Sequence, residues 1–173
     1  LVVNDAGFGR ADLATGREIG GGMCTWGAPN YDPQAGLLVV PNTIAHRFTP
    51  RLYLQGLDAD GRQKWMGLLN ESRDEANPFL KSDTMTFCSV AQGGGKVFAA
   101  IACAGSTPKA VKDGLYALRQ ADGGVAWSLP GDWGGVSFDG RHLYAARVEG
   151  RKDVKLHCLE PADGKALWKI NAP

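Results

Sequence analysis

Groups able to bind or react are scattered along this sequence. Asn42, His46 and Arg47 lie together in one short stretch. An amide, an imidazole and a guanidinium so placed can anchor a ligand or partner, or can hydrogen-bond a loop to itself. Trp133, within Gly131–Gly135, either lines a central surface or fills a core. Glu71, Asp74 and Glu75 with Arg73 offer an acid and base pair, but charges so close in sequence also pair among themselves in solvent. His142 and His157 fall on strand-like runs with no second histidine at ligand spacing, so no metal site is expected. Cys24, Cys88, Cys103 and Cys158 form no C-x-x-C pair. They read as small buried residues, with a disulfide open only to an exported protein. Gly93–Gly95 before Lys96 lacks the first Gly and the Ser/Thr of a phosphate loop, and Gly7-x-Gly9 lacks the third Gly of a dinucleotide fingerprint. Asn70-Glu71-Ser72 is a glycosylation sequon, meaningful only in a eukaryotic secretory setting. No catalytic residue and no metal ligand is assigned.

The elements that must carry these groups follow from one repeated phrase. Leu156–Ile170 reads LHCLEPADGKALWKI: an apolar alternation, an Ala-Asp-Gly turn, then a Trp four residues after the Gly. Leu115–Leu129 and Leu54–Leu68 repeat it, and a worn copy at Phe8–Ile19 has Gly20 in the Trp slot. The turn glycines are Gly16, Gly61, Gly123 and Gly164, at spacings of 45, 62 and 41 residues. A period of roughly 40–45 residues is that of a four-stranded propeller blade. The long interval is one unit plus an insertion at about residues 66–83. Further strand pairs precede the full copies: Gly36–Pro41, then Thr86–Val90 with Lys96–Ala102, then Val136–Phe138 with Arg141–Arg147 around Asp139-Gly140. Each unit therefore reads as four strands, A to D, with the Ala-Asp-Gly turn between C and D. Helix signals are weak; the best candidate is Asn70–Lys81, where Asn70 caps at most one or two turns and Pro78 ends them.

Gly permits a positive φ in the C–D turn, and the Asp before it can bond back to the turn backbone. Trp65, Trp127 and Trp168 then occupy one position of strand D and are expected to form the contact between units. The totals agree with such a chain: 173 residues, 44% hydrophobic, 21% charged, with 24 glycines for tight turns. A net charge of +1 argues against a nucleic-acid surface or an anionic membrane surface. The longest apolar runs, Leu37–Val40 and Phe98–Ala104, fall far short of the roughly 20 residues of a membrane span. The chain begins at Leu1, which reads as a processed or excised piece.

The phrase L-x-x-L-x-x-A-[DT]-G-x-x-x-W resembles the tryptophan-docking repeat of propellers related to pyrroloquinoline-quinone (PQQ) dehydrogenases. Trp26–Val40, WGAPNYDPQAGLLVV, is similar to the WG-x-P-x-YDP-x-x-GL-x-YV segment of quinoprotein alcohol dehydrogenases. The resemblance implies an all-β fold, a PQQ-type β-propeller of about four four-stranded blades at roughly 1–22, 23–69, 84–130 and 131–173, all in one segment. It implies that D–A and B–C loops share one face, so a site draws on Asn42–Pro50, Met66–Asp83, Ala104–Asp113 and Pro130–Gly134. It also implies a periplasmic or extracellular setting. The chain departs from the dehydrogenases in its chemistry. Val40-Pro41-Asn42-Thr43 stands where that family carries a Thr-Gly-Asn-like turn whose Asn binds the cofactor's calcium. The adjacent-cysteine pair and the Asp-Tyr-Asp catalytic stretch are absent.

The leading expectation is a non-catalytic propeller segment acting as a binding or assembly platform without a cofactor. Its partners would be a protein, or further blades from a longer parent chain or a second copy, since open sheet edges invite pairing. The alternative is a fragment or subunit of a PQQ- and calcium-dependent alcohol dehydrogenase. A hydrolase or lyase is a third reading, and requires carboxylates and a histidine converging on the loop face.

Overall fold

A computed structural model describes residues 2–4, 7–11, 18–23, 28–46, 49–70, 84–104, 113–150 and 153–172, with side chains for 28–41, 53–67, 89–102, 113–150 and 153–172. The strands β1 (Val2–Asn4), β2 (Gly7–Ala11) and β3 (Glu18–Met23) form a three-stranded antiparallel sheet. β4 (Asn30–Asp32), β5 (Leu37–His46), β6 (Thr49–Leu57) and β7 (Gln63–Asn70) form the second sheet. β8 (Thr84–Gly93), β9 (Lys96–Ala104), β10 (Gly114–Arg119) and β11 (Val125–Pro130) form the third. β12 (Trp133–Phe138), β13 (Leu143–Glu149), β14 (Asp153–Leu159) and β15 (Ala166–Asn171) form the fourth. Each four-stranded sheet is an antiparallel meander in chain order, and no helix occurs among the described residues.

The apolar runs are continuous because these strands are covered on both faces. In β9, Val97, Ala99 and Ile101 pack with Leu37, Val39, Leu54 and Trp65 of the second sheet. The alternate residues Phe98 and Ala100 join Leu115 and Ala117 against Trp133, Leu143, Ala145 and Leu159 of the fourth. Leu38 and Val40 lie on the opposite face of β5 from Leu37 and Val39, buried with Leu57. The first strands of successive sheets touch, β4 with β8 and β8 with β12.

The turns tie sheet to sheet. Gly61, Gly123 and Gly164 all take positive φ, at 79°, 71° and 76°. In the third and fourth sheets the C–D turn is the same: Gly123 N donates to Arg119 O and Gly164 N to Glu160 O, both at 2.9 Å. Asp122 Oδ1 accepts from Gly124 N, and Asp163 Oδ1 from Lys165 N, both at 2.9 Å. The second sheet has one residue fewer there, so Gly61 N bonds to Asp58 O, and Asp58 takes over as acceptor from Asp60 N and Arg62 N. Trp65 Nε1 donates to Gln120 O of the next sheet at 2.8 Å, with its ring against Gly123. Trp127 Nε1 donates to Pro161 O at 3.1 Å, with its ring against Gly164. Opposite each Trp on strand C stands a small residue: Gly56, Ala117 and Cys158.

Several expectations need correction. Trp168 does not share the surroundings of the other two rings; it is 44% exposed, against 5% for Trp65. Its indole lies beside Tyr144 of its own sheet, at 6.0 Å between centroids. Asn42–Pro50 is not a loop through most of its length, because the β5–β6 ladder continues out to His46 opposite Thr49. Beyond Val39, β5 has no β4 partner among the described residues, and Pro41, which has no N–H to give, stands there. Met66–Asn70, read as part of an insertion, belongs to β7, and Asn70 pairs with Leu52 instead of capping a helix. His142 precedes β13 in the A–B turn, where its N–H donates to Asp139 Oδ1. Gly16, and the remainder of the supposed helix at 71–81, lie outside the described residues.

Candidate functional site

The face that carries the D–A connection of the fourth sheet gathers charge around Trp133. Trp133 opens β12 and pairs with Arg147 on β13, which pairs in turn with Lys155 on β14. Side chains two apart on a strand share a face. The alternation therefore puts Arg147 and Glu149 of β13 with Lys155 and His157 of β14 on the side facing the third sheet. The β13–β14 ladder, from Leu143 opposite Leu159 through Glu149 opposite Asp153, fixes this register without a slip. Asp132 of the connection is held by its own backbone, since its carbonyl accepts from Val148 N at 2.9 Å.

Trp133 is 2% exposed and part of the core between the third and fourth sheets. The Arg147 guanidinium carbon lies 5.2 Å from its ring centroid. A cation at that distance is drawn to the negative face of the indole. The His157 ring meets the same indole edge-on, at 5.2 Å. Lys155 Nζ donates to Glu149 Oε2 at 2.5 Å. This hydrogen bond holds the Glu149 carboxyl below the usual carboxylate range. His157 is 5% exposed, and its Nε2 has no hydrogen-bond partner. Burial pushes the imidazole below its ordinary pKa, and the Glu149 charge opposes that shift only in part. His157 Nε2 stands 3.7 Å from Glu149 Oε1. The pair brings a carboxylate and a histidine together, but a general base must reach the proton it removes. Here Nε2 is shut off from solvent and the carboxylate is paired with Lys155.

The candidate residues of the sequence fall in different places. Asn42 lies in β5 opposite Tyr53 and His46 ends that strand. Their side chains, and Arg47 altogether, lie outside the description. Trp133 is the one candidate with described surroundings. Arg147, Glu149 and Lys155 were missed, and His157 was set aside for want of a second histidine at ligand spacing, because the four are split between two strands. Their signal was the period-two alternation across the β13–β14 hairpin, which a search by local clustering does not see.

On the opposite end of the sheets a second polar network links the second and third sheets. Gln120 Nε2 donates to Asp32 Oδ2 at 2.8 Å, and Gln92 Nε2 donates to Asn30 O at 2.6 Å. The Gln120 amide lowers the Asp32 pKa, helped by the Ala35 and Gln34 backbone N–H groups. Every member has a partner within the protein, so this is an interlock between sheets.

A calcium site does not fit the described donors. Calcium takes about six to eight oxygen ligands. No group of three or more His, Cys, Asp and Glu is placed to hold a metal among the described residues. The Trp133 cluster offers a single carboxylate, already paired with Lys155.

No protein-family model and no curated protein matches this sequence. Solved structures do. BamB from Moraxella catarrhalis is 15% identical, with a TM-score of 0.54 over 89% of this chain and 40% of that one. The quinohemoprotein alcohol dehydrogenase from Comamonas testosteroni is 14% identical, with a TM-score of 0.53 over 85% of this chain and 21% of that one. Both are β-propeller proteins of the PQQ-like repeat kind, and at these identities the likeness establishes the fold. The chain spans less than half the length of BamB and about a fifth of the dehydrogenase.

Proposed function

We propose that the chain is a non-catalytic propeller segment whose task is to bind and assemble protein, in a periplasmic or extracellular setting. One observation carries this reading: the outer face of the fourth sheet is built like a blade interface, and among the described residues no further sheet covers its Val154, Trp168 and Ile170. Tyr144, Ala146, Val148, Val154 and Leu156 alternate onto that face, and Trp168 and Ile170 of β15 extend it. Trp168 is 44% and Ile170 55% exposed. At Trp65 and Trp127 the same strand position is covered by the next sheet and its Ala-Asp-Gly turn. Exposed apolar surface of this extent marks an interaction site. A further blade of a longer chain, a second copy, or a separate protein partner would cover it. The fold likeness to BamB and the family resemblance of the repeats support the same view. Sedimentation velocity over a range of concentrations tests it. Self-association that Trp168→Glu abolishes is the expected result for a second copy, and a monomer that ignores both concentration and that substitution would remove the second copy and leave a further blade or a separate partner as the occupant.

A second reading is favoured by the Trp26–Val40 phrase and the likeness to the quinohemoprotein: a fragment of a PQQ- and calcium-dependent alcohol dehydrogenase. The described donors do not fit calcium, so the reading requires ligands from outside them. Adding calcium and PQQ, then looking for a quinone absorbance and for dye reduction by alcohols, tests it; absence of binding eliminates it.

A further inference from the structure

The Arg147 side chain makes no hydrogen bond or close ion pair with the described residues; its charge acts on Glu149, two positions along the same face, but that carboxylate is paired with Lys155. Its guanidinium is backed by the Trp133 ring. It also lies against Gly131, where a Cβ would come within 3.0 Å of Nη2. A glycine at that point of the D–A connection leaves the space the guanidinium fills. Beside it is the buried His157 Nε2 that lacks a partner. A half-buried cation with a free fork of donors, set on an aromatic surface, is therefore presented at one end of the fourth sheet.

The geometry points to a carboxylate-binding site at Arg147 and Trp133, whose occupant is an acidic residue of a partner polypeptide. The planar guanidinium fork matches a carboxylate in two parallel hydrogen bonds, and aromatic backing orients the fork before the ligand arrives. The balance of charge agrees. Lys155 and Glu149 cancel and His157 is held neutral by burial, so Arg147, with Lys169 opposite His157 on the same face, leaves the cluster net positive towards an anionic group. His157 and Gly131 are positioning residues, holding the indole and the guanidinium in place. This inference rests on the platform reading and names the chemistry of its partner.

The test is calorimetric titration of the whole chain with an N-acetylated tetraglutamate peptide, with succinate and with inorganic phosphate, at low and high salt. The peptide is expected to bind, more weakly at high salt. Arg147→Lys, which keeps the charge but loses the fork, should weaken binding about tenfold, and Arg147→Ala should abolish it. Lys64→Ala, on exposed surface of the second sheet, should leave it unchanged. Thermal melts of Arg147→Lys establish that the fold persists. Succinate binding as tightly as the peptide would overturn the polypeptide occupant in favour of a small dicarboxylate, and phosphate binding equally well would overturn carboxylate recognition. Peptide binding indifferent to Arg147, or none, would sink the site. Were it lost while Trp168-dependent association persisted, the platform reading would stand without an acidic partner.

Discussion

Replacing Gly123 by Ala should destabilise this protein more than the same change at Gly36, and the comparison isolates the contact between sheets. Both glycines have positive φ, +71° at Gly123 and +59° at Gly36. An L-residue there costs about 1–2 kcal/mol in either position. The positions differ in what a methyl group meets. At Gly36 nothing lies within 4 Å, whereas at Gly123 the added Cβ falls 2.5 Å from Trp65 Cε3 and 2.7 Å from Cδ2. Trp65 cannot swing away freely, because it is 5% exposed and its Nε1 is bonded to Gln120 O. Overpacking of this kind costs roughly 1–3 kcal/mol more. Gly123→Ala should therefore lose about 2–5 kcal/mol and Gly36→Ala about 1–2. Gly164→Ala should fall between them, since Trp127 comes no closer than 3.0 Å and is less buried. For a chain of this length each kcal/mol lowers Tm by roughly 2–4 °C, so the two extremes separate by several degrees in thermal melts followed by circular dichroism. Equal Tm values for Gly123→Ala and Gly36→Ala would show that the turn glycine serves only its own backbone, and would remove the docking of Trp65 as a source of stability.

Trp65→Phe should cost about 0.5–1.5 kcal/mol for the lost N–H bond to Gln120 O, while Trp168→Phe should stay within about 0.5 kcal/mol of the parent; urea titrations would measure both. Asp139 is held down to about 2 from 3.8 by the His142 and then the Arg141 backbone N–H groups, with the Tyr144 hydroxyl adding to them. Its stabilisation is thus present above pH 3.8 and lost as pH falls towards 2, so Asp139→Asn should flatten the acid limb of a stability-versus-pH curve. His157 titrates below its ordinary 6.5 because burial disfavours the imidazolium, so stability is full above pH 6.5 and declines as pH falls below it. His157→Gln should remove that slope, and a slope unchanged in the variant would place the titrating group elsewhere.

The architecture was legible because it is written in short-range chemistry. Gly61, Gly123 and Gly164 mark turns that need positive φ, and the alternations around them set which residues pair. Leu54–Leu68 is one residue shorter than the other copies before its Gly, and this appears as a tighter turn with Asp58 as acceptor in place of the Asp before the Gly. Asn42–Pro50 misled because polar residues between Pro41 and Pro50 look like a loop. A ladder at the margin of a sheet tolerates them, having fewer backbone partners to satisfy. Trp168 misled for another reason: its sequence setting matches that of Trp65 and Trp127, but burial depends on what stands across from a ring.

The sequence by itself determined the repeat, the turn chemistry and the strand positions of Trp65 and Trp127, since all are fixed by neighbours close along the chain. Tertiary structure alone decided that Arg147, Glu149, Lys155 and His157 converge on Trp133, and that Trp168 is left uncovered. Both depend on which faces meet after the strands have paired, and distance along the chain carries no record of that.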